Sequence, residues 1–253
     1  MNFLYFLITL NGLIFLTSAI EKSPDIPSFL KICHRNDKHL DNCMRKSFEA
    51  LRPYLKNGIP ELLIPPCEPL YLPKLEIGQA AGPVSVNSTH TNIVINGGSD
   101  FILKNIKIDT VKDRIKLKLK IPKLNMKSDY SVAGKILMIP VTGRGKFTGN
   151  YTDIDTIIMI QGEQYIKSQT NKKHFRVVEF YVDFEIGDSS IHLENLFNGD
   201  KTLADAMNIF LNENWKIVTA EIKPVLENTI SKLFKNFVNK IYDKYPLDIL
   251  LPL

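Results

Sequence analysis

At 253 residues, with 44% hydrophobic and 23% charged side chains, the chain has the make-up of an ordinary globular protein. The balance of 32 basic against 27 acidic residues leaves a formal charge of +5. Spread over this length, that favours anionic surfaces weakly and gives no footprint for nucleic-acid binding.

Met1 to Ala19 carry no charge and hold an apolar run from Phe3 to Leu16, followed by small Thr17, Ser18 and Ala19 and then polar Glu21, Lys22 and Ser23. This order predicts a secretory signal peptide cleaved near Ala19. The apolar run is shorter than the ~20 residues a membrane span needs. A secreted, extracellular chain is expected, with residues 20–253 as one domain. Cysteine usage agrees. Cys33 and Cys43 stand ten apart, a spacing that closes easily into a disulfide worth roughly 2–3 kcal/mol. Cys67 is then left as a buried free thiol, with its pairing to Cys33 or Cys43 still open. Two glycosylation candidates, Asn87-Ser88-Thr89 and Asn150-Tyr151-Thr152, are expected to mark exposed turns.

Leu40, Cys43, Met44, Phe48, Leu51 and Leu55 recur every three or four residues, which predicts a helix from about Asp37 to Lys56. Gly58 stops it, and Pro53 is expected to kink it or start a separate last turn. Five prolines between Ile59 and Pro73 predict an extended connector or edge segment.

From Leu72 to about Ile186 the period becomes 2. In Arg114–Ile121 the residues Ile115, Leu117, Leu119 and Ile121 alternate with Lys116, Lys118 and Lys120. Similar alternation marks Ile93–Ile95, Phe101–Val111, Val132–Ile139, Ile154–Ile160 and Phe175–Ile186. Turn signals fall at Asn96–Ser99, Lys112-Asp113, Thr142–Gly145 and Gln169–Lys173. These are antiparallel hairpins with one wet face, and a sheet of this extent should curl.

Thr202 to Tyr245 returns to helical spacing. Its apolar row is Leu203, Met207, Phe210, Val218, Ile222, Leu226, Ile230, Leu233, Phe237 and Ile241, with Lys216, Glu221, Lys223, Glu227, Lys232, Lys235 and Asn239 opposite. Unbroken, it would run roughly 65 Å, against a diameter of about 45 Å for a compact domain of this size. A helix kinked at Pro224 but continuous through it is expected. The cheapest arrangement is a curled sheet wrapped around that helix, an α+β fold.

No reaction is legible. The five histidines show no metal-ligand spacing, and HExxH and GxSxG are absent. Gly187-Asp188-Ser189-Ser190 reads as a turn. Gly143, Gly145 and Gly149 miss both phosphate-loop fingerprints and also read as turns. Neither catalytic residues, nor a metal, nor a cofactor is expected.

Several blocks together resemble the insect takeout and haemolymph juvenile-hormone-binding family. They are Cys33 with Leu40–Cys43, Leu51-Arg52-Pro53, Lys56–Glu61, Leu70–Pro73, Tyr130–Leu137, Ile139–Gly145, Leu196–Asp200 and Asn212–Trp215, collinear over essentially the whole chain after the leader. The resemblance implies a long C-terminal helix wrapped by a strongly curved antiparallel sheet, elongated, with an internal apolar tunnel. It implies a carrier of a small hydrophobic ligand (terpenoid, fatty acid or other lipid) without catalysis, and maps the family's amino-terminal disulfide onto Cys33 and Cys43. The hormone binders look as though they carry a second, later disulfide. This chain has no cysteine after Cys67, which is more like the takeout branch.

On that reading the tunnel wall is Phe210, Val218, Ile222, Leu226, Ile230, Leu233 and Phe237, with Trp215 near one mouth. Plain core packing is the blander account of the same row. The rival functional reading is an extracellular interaction protein whose exterior, including Lys116, Lys118 and Lys120, binds a receptor or an anionic membrane. A monomer is expected in either case.

Overall fold

The computed structural model describes residues 26–79, 84–136 and 139–253. The expected leader, 1–19, and Leu137 of the Tyr130 block lie outside the described residues.

Helix α1 (Leu40–Leu55) comes first and runs through Pro53 without a separate last turn. Seven antiparallel strands follow: β1 (Leu70–Gln79), β2 (Val84–Asn96), β3 (Ile102–Asp109), β4 (Arg114–Ile136), β5 (Ile139–Lys167), β6 (Lys172–Glu185) and β7 (Asp188–Leu193). All belong to one curled sheet, organised by the long β4–β5 hairpin. The C-terminal half of β4 pairs with β2 and the N-terminal half with β3. Likewise β5 pairs first with β7 and then with β6. Two half-sheets, β1-β2-β4-β5-β7 and β3-β4-β5-β6, therefore share one hairpin. They meet near Asp153, whose φ of 52° interrupts the alternation, so that Tyr151 and Ile154 join the same apolar cluster three residues apart.

The strands are longer than the turn signals predicted. Val132 onward continues the strand begun at Arg114, and Thr142–Gly145 lies inside β5 instead of ending it. Its glycines serve close approach. A Cβ on Gly145 would stand 2.4 Å from the Glu194 carbonyl oxygen, and one on Gly143 would stand 2.9 Å from the Leu196 Cα. The chain from Glu194 to Leu196 thus crosses directly over β5, pinned by the Tyr130 hydroxyl donating to the Glu194 carbonyl at 2.7 Å. Both sequons also lie in strands, Asn87 exposed on β2 and Asn150 half-buried on β5 beside Asn125, and not in turns.

The proline-rich connector forms a 3-10 turn at Pro60–Leu62 and then enters edge strand β1, where Pro73 costs no internal ladder bond. Cys33 and Cys43 are joined in a disulfide, and Cys67 is free and half-buried. Met44 and Phe48 of α1 pack on Leu103, Ile106 and Leu117. Leu51 and Leu55 meet Ile59, Leu62 and the fully buried Tyr245. Helix α1 and the segment after residue 240 thus pack on each other and on the β3-β4-β5-β6 half of the sheet.

The C-terminal segment forms α2 (Lys201–Glu213), α3 (Trp215–Lys244) and a last turn, α4 (Leu247–Leu250). The expected single helix is broken at Asn214 (φ −108°, ψ 20°), while α3 passes through Pro224 uninterrupted. The Asn214 amide side chain donates to the Phe210 carbonyl at 2.8 Å, ending α2, and its own carbonyl accepts from Ile217 and Val218, starting α3. At Pro224 the carbonyl left without its i+4 donor is that of Ala220, an exposed residue. The break also resolves the length conflict, since a 30-residue α3 spans ~45 Å.

Candidate ligand-binding site

Four residues of helix advance ~6 Å and two residues of strand ~6.6 Å, so an i, i+4 row of polar side chains keeps step with the backbone groups of a strand edge. Both terminal helices use this match. On α2, Asn212 accepts from the Ile191 N–H and donates to its carbonyl, both at 2.8 Å. Asn208 does the same to Leu193 at 2.9 and 3.0 Å. On α3, Asn239 bonds both backbone groups of Val177 at 2.8 and 3.0 Å. Ser231 accepts from the Val182 N–H at 3.2 Å and Glu227 from the Phe184 N–H at 3.3 Å, while Lys235 donates to the Val178 carbonyl at 2.6 Å. Glu227, Lys235 and Asn239 were expected on a wet outer face. They instead satisfy the edge of β6, while Asn208 and Asn212 satisfy that of β7, where open edges would otherwise be exposed.

The apolar sides differ. Met207 and Leu211 of α2 are buried in a cluster with Val84, Val86, Tyr130, Val132, Phe147 and Leu196. In α3 no residue is fully buried. Val218 and Ile222 lean on the same cluster, with Phe210 reaching it from α2 across the break. Leu226 and Ile230 lean on Ile154, Val182 and Phe184. Leu233 and Phe237 are also half-buried, and Phe237 meets Phe234 edge-on at 6.3 Å. Trp215 is half-buried beside the Lys216 ammonium, 5.7 Å from the ring centre. The eight residues expected at the wall therefore sit along one line, seven on α3 and one on α2.

The sheet supplies the opposing side, which the sequence reading left out. Met126, Tyr151, Ile158 and Phe180 project from β4, β5 and β6 into the same clusters and are half-buried. The Tyr151 and Tyr242 hydroxyls make no protein hydrogen bond among the described residues, and burial pushes each up to about 12. The period-2 pattern marks Ile158 and Phe180. Nothing local marks Tyr151, which sits in a sequon.

A polar chain interrupts the concave face near Val218 and Ile222. His90, 5% exposed, lies edge-on to Phe147 at 5.0 Å. Its Nδ1 is 2.9 Å from the Ser128 hydroxyl and its Nε2 3.1 Å from that of Ser88. Burial holds its pKa down at about 4, so the ring is neutral near pH 7. No group of three His, Cys, Asp or Glu that could hold a metal ion occurs among the described residues. Two surface hollows beside α1, lined by Arg35, Asp37, Lys38, His39 and Lys46, are too polar for an apolar chain.

The family model for haemolymph juvenile hormone binding protein (JHBP) matches residues 11–252. The chain is 26% identical over 251 residues to the circadian clock-controlled protein daywake of Drosophila melanogaster, covering 96% of this chain and 95% of that protein. Daywake of Drosophila yakuba is 24% identical over 237 residues, 90% of this chain and 89% of the other. Takeout 1 of Epiphyas postvittana, a crystal structure, superposes with a TM-score of 0.73 at 27% identity, over 88% of this chain and all (100%) of that one.

Proposed function

This chain belongs to the haemolymph juvenile hormone binding protein family, and from that premise we propose that it is a secreted, non-catalytic carrier. Its ligand is a small hydrophobic molecule, a terpenoid, fatty acid or other lipid, held in a tunnel between α3 and the concave face of the sheet. One observation carries this reading. The apolar row of a 30-residue helix covered by a sheet is nowhere fully buried, whereas a helix packed at native density hides its central row.

The energetics suit such a role. Enclosing an acyl or terpenoid chain removes a few hundred Å² of apolar surface from water, several kcal/mol at roughly 25 cal/mol per Å² before ordering costs. Phe210, Val218, Ile222, Leu226, Ile230, Leu233 and Phe237 form the helix wall, with Trp215 near one mouth. Native mass spectrometry of the purified protein should show a co-purifying apolar molecule at about one per chain. A protein that purifies empty and ignores fluorescent fatty-acid and terpenoid probes would refute the proposal.

A second reading has its own observation. Lys107 on β3 stands directly opposite Lys116 on β4, and Met159 and Tyr181 continue that row, 42% and 49% exposed. Like charges in register destabilise a sheet unless an anion covers them. As an extracellular interaction protein, the chain would use this face on an anionic membrane. Sedimentation with anionic vesicles, weakened by salt and by neutralising Lys107 and Lys116, would favour it.

A further inference from the structure

We propose that Ser88 is the polar anchor of the binding space, donating a hydrogen bond to a neutral oxygen acceptor at one end of an otherwise apolar ligand. This rests on the carrier reading and assigns a chemical class, an ester, ketone or aldehyde, to that ligand.

The argument starts from the direction of the hydrogen bonds. A neutral imidazole has one N–H and one bare nitrogen, so the chain Ser128–His90–Ser88 has two possible polarities. If Nδ1 carried the proton, it would donate to Ser128, whose own O–H would then be left without an acceptor among the described residues. Ser128 is only 5% exposed, and a buried hydroxyl without an acceptor is destabilising. With the proton on Nε2, every buried group is satisfied. Ser128 donates to Nδ1, and Nε2–H donates to the Ser88 oxygen. The one donor left over is the Ser88 O–H, which has no other partner among the described residues.

Position makes that donor available. Ser88 lies on the concave face, between Ile77 of β1 and Val132 of β4. It is half-buried where Val84, Val86 and His90 on the same face of β2 are buried. The cluster containing Val132 is the one on which Val218 and Ile222 of α3 lean. A single O–H amid apolar side chains recognises an oxygen lone pair, and a hydrocarbon end leaves it unpaired. A carboxylate would bring a charge beside a neutral, buried histidine and lose its hydration there. Neutral acceptors are therefore preferred over free acids and over hydrocarbons.

The test is competition for a bound fluorescent reporter, N-phenyl-1-naphthylamine, by methyl palmitate, palmitic acid and heptadecane. The native protein should bind the ester about fivefold more tightly than the hydrocarbon, as one net hydrogen bond allows. It should bind the acid more weakly than the ester at pH 7.5. Ser88→Ala, which keeps the Asn87-Ser88-Thr89 sequon, should erase the ester's advantage and leave heptadecane binding unchanged, while the unfolding midpoint falls because the buried His90 Nε2–H loses its acceptor. The infrared carbonyl band of bound ester should move to higher wavenumber in that variant. Equal binding of ester and hydrocarbon by the native protein, a preference for the acid, or an unchanged carbonyl band in Ser88→Ala overturns the anchor while leaving the carrier reading intact. Failure to bind the reporter and every competitor overturns the carrier reading and the anchor with it.

Discussion

Helices α2 and α3 do the same thing to the sheet with their polar side chains and different things with their apolar ones. Asn208 and Asn212 close the edge of β7, and Glu227, Ser231, Lys235 and Asn239 close that of β6. Beneath α2 the space is filled by Met207, Leu211 and Leu196, while on α3 itself no apolar side chain is fully buried, although Ile154, Val182 and Phe184 beneath it are. Edge bonding is thus separable from core filling. A helix held along its length by bonds to a strand edge does not depend on a close-packed apolar face alone to stay in place.

The contrast is sharpest under large-to-small substitution. Leu211→Ala, in the filled region, should lose about 3–4 kcal/mol in denaturant unfolding. Leu226→Ala should lose about 1 kcal/mol in ligand-free protein, because the side chain is only half-buried. Equal losses would put both helices on solid core and remove the difference between them.

Acid provides the next largest effect, through the buried His90. The folded pKa of His90 is lowered to about 4 from an ordinary 6.5. Between those values the unfolded chain binds a proton that the folded one refuses, so stability rises with pH across that window. The contribution, up to about 3 kcal/mol, is complete above pH 6.5 and lost as the pH falls to 4. Unfolding at pH 7 and 4.5 should show a difference between the two pH values that is largely absent in His90→Gln.

Edge bonding itself is tested by Asn208→Leu and Asn239→Leu. Each strands an N–H and a carbonyl, at about 2 kcal/mol, and hydrogen exchange at Leu193 or Val177 should quicken accordingly. If edge closure is common to both helices, the two losses should agree. The smallest effect should come from filling. Ile230→Phe should change ligand-free stability by less than about 1 kcal/mol yet reduce uptake of a fatty-acid probe, whereas Val132→Phe should cost about 1–3 kcal/mol.

Some of this was legible before any coordinates. Alternation of Ile115, Leu117 and Leu119 with lysines marks one wet and one apolar strand face, because side chains along a strand point to opposite sides. The 3.6 period fixed which side of α3 is apolar, and ten-residue spacing suggested the Cys33–Cys43 bridge that the fold contains. The collinear blocks pointed to a family that the match over residues 11–252 bears out.

Other features depend on partners distant in the chain. Gly143 and Gly145 carry a turn signature, yet they continue β5 because Glu194–Leu196 must pass over them. Glu227 and Asn239 look like solvent-facing positions until the edge of β6 arrives beside them. Pro224 is the conspicuous breaker, but the break falls at Asn214, whose backbone N–H and side-chain amide both donate to the Phe210 carbonyl. The His90 chain joins residues 38 positions apart through the pairing of β2 with β4. By itself the sequence determines the faces of each element, since periodicity is local. Only the tertiary structure decides what opposes each face, since that is set by long-range register, and here it is what buries Met207 and Leu211 of α2 while leaving the apolar row of α3 half-buried.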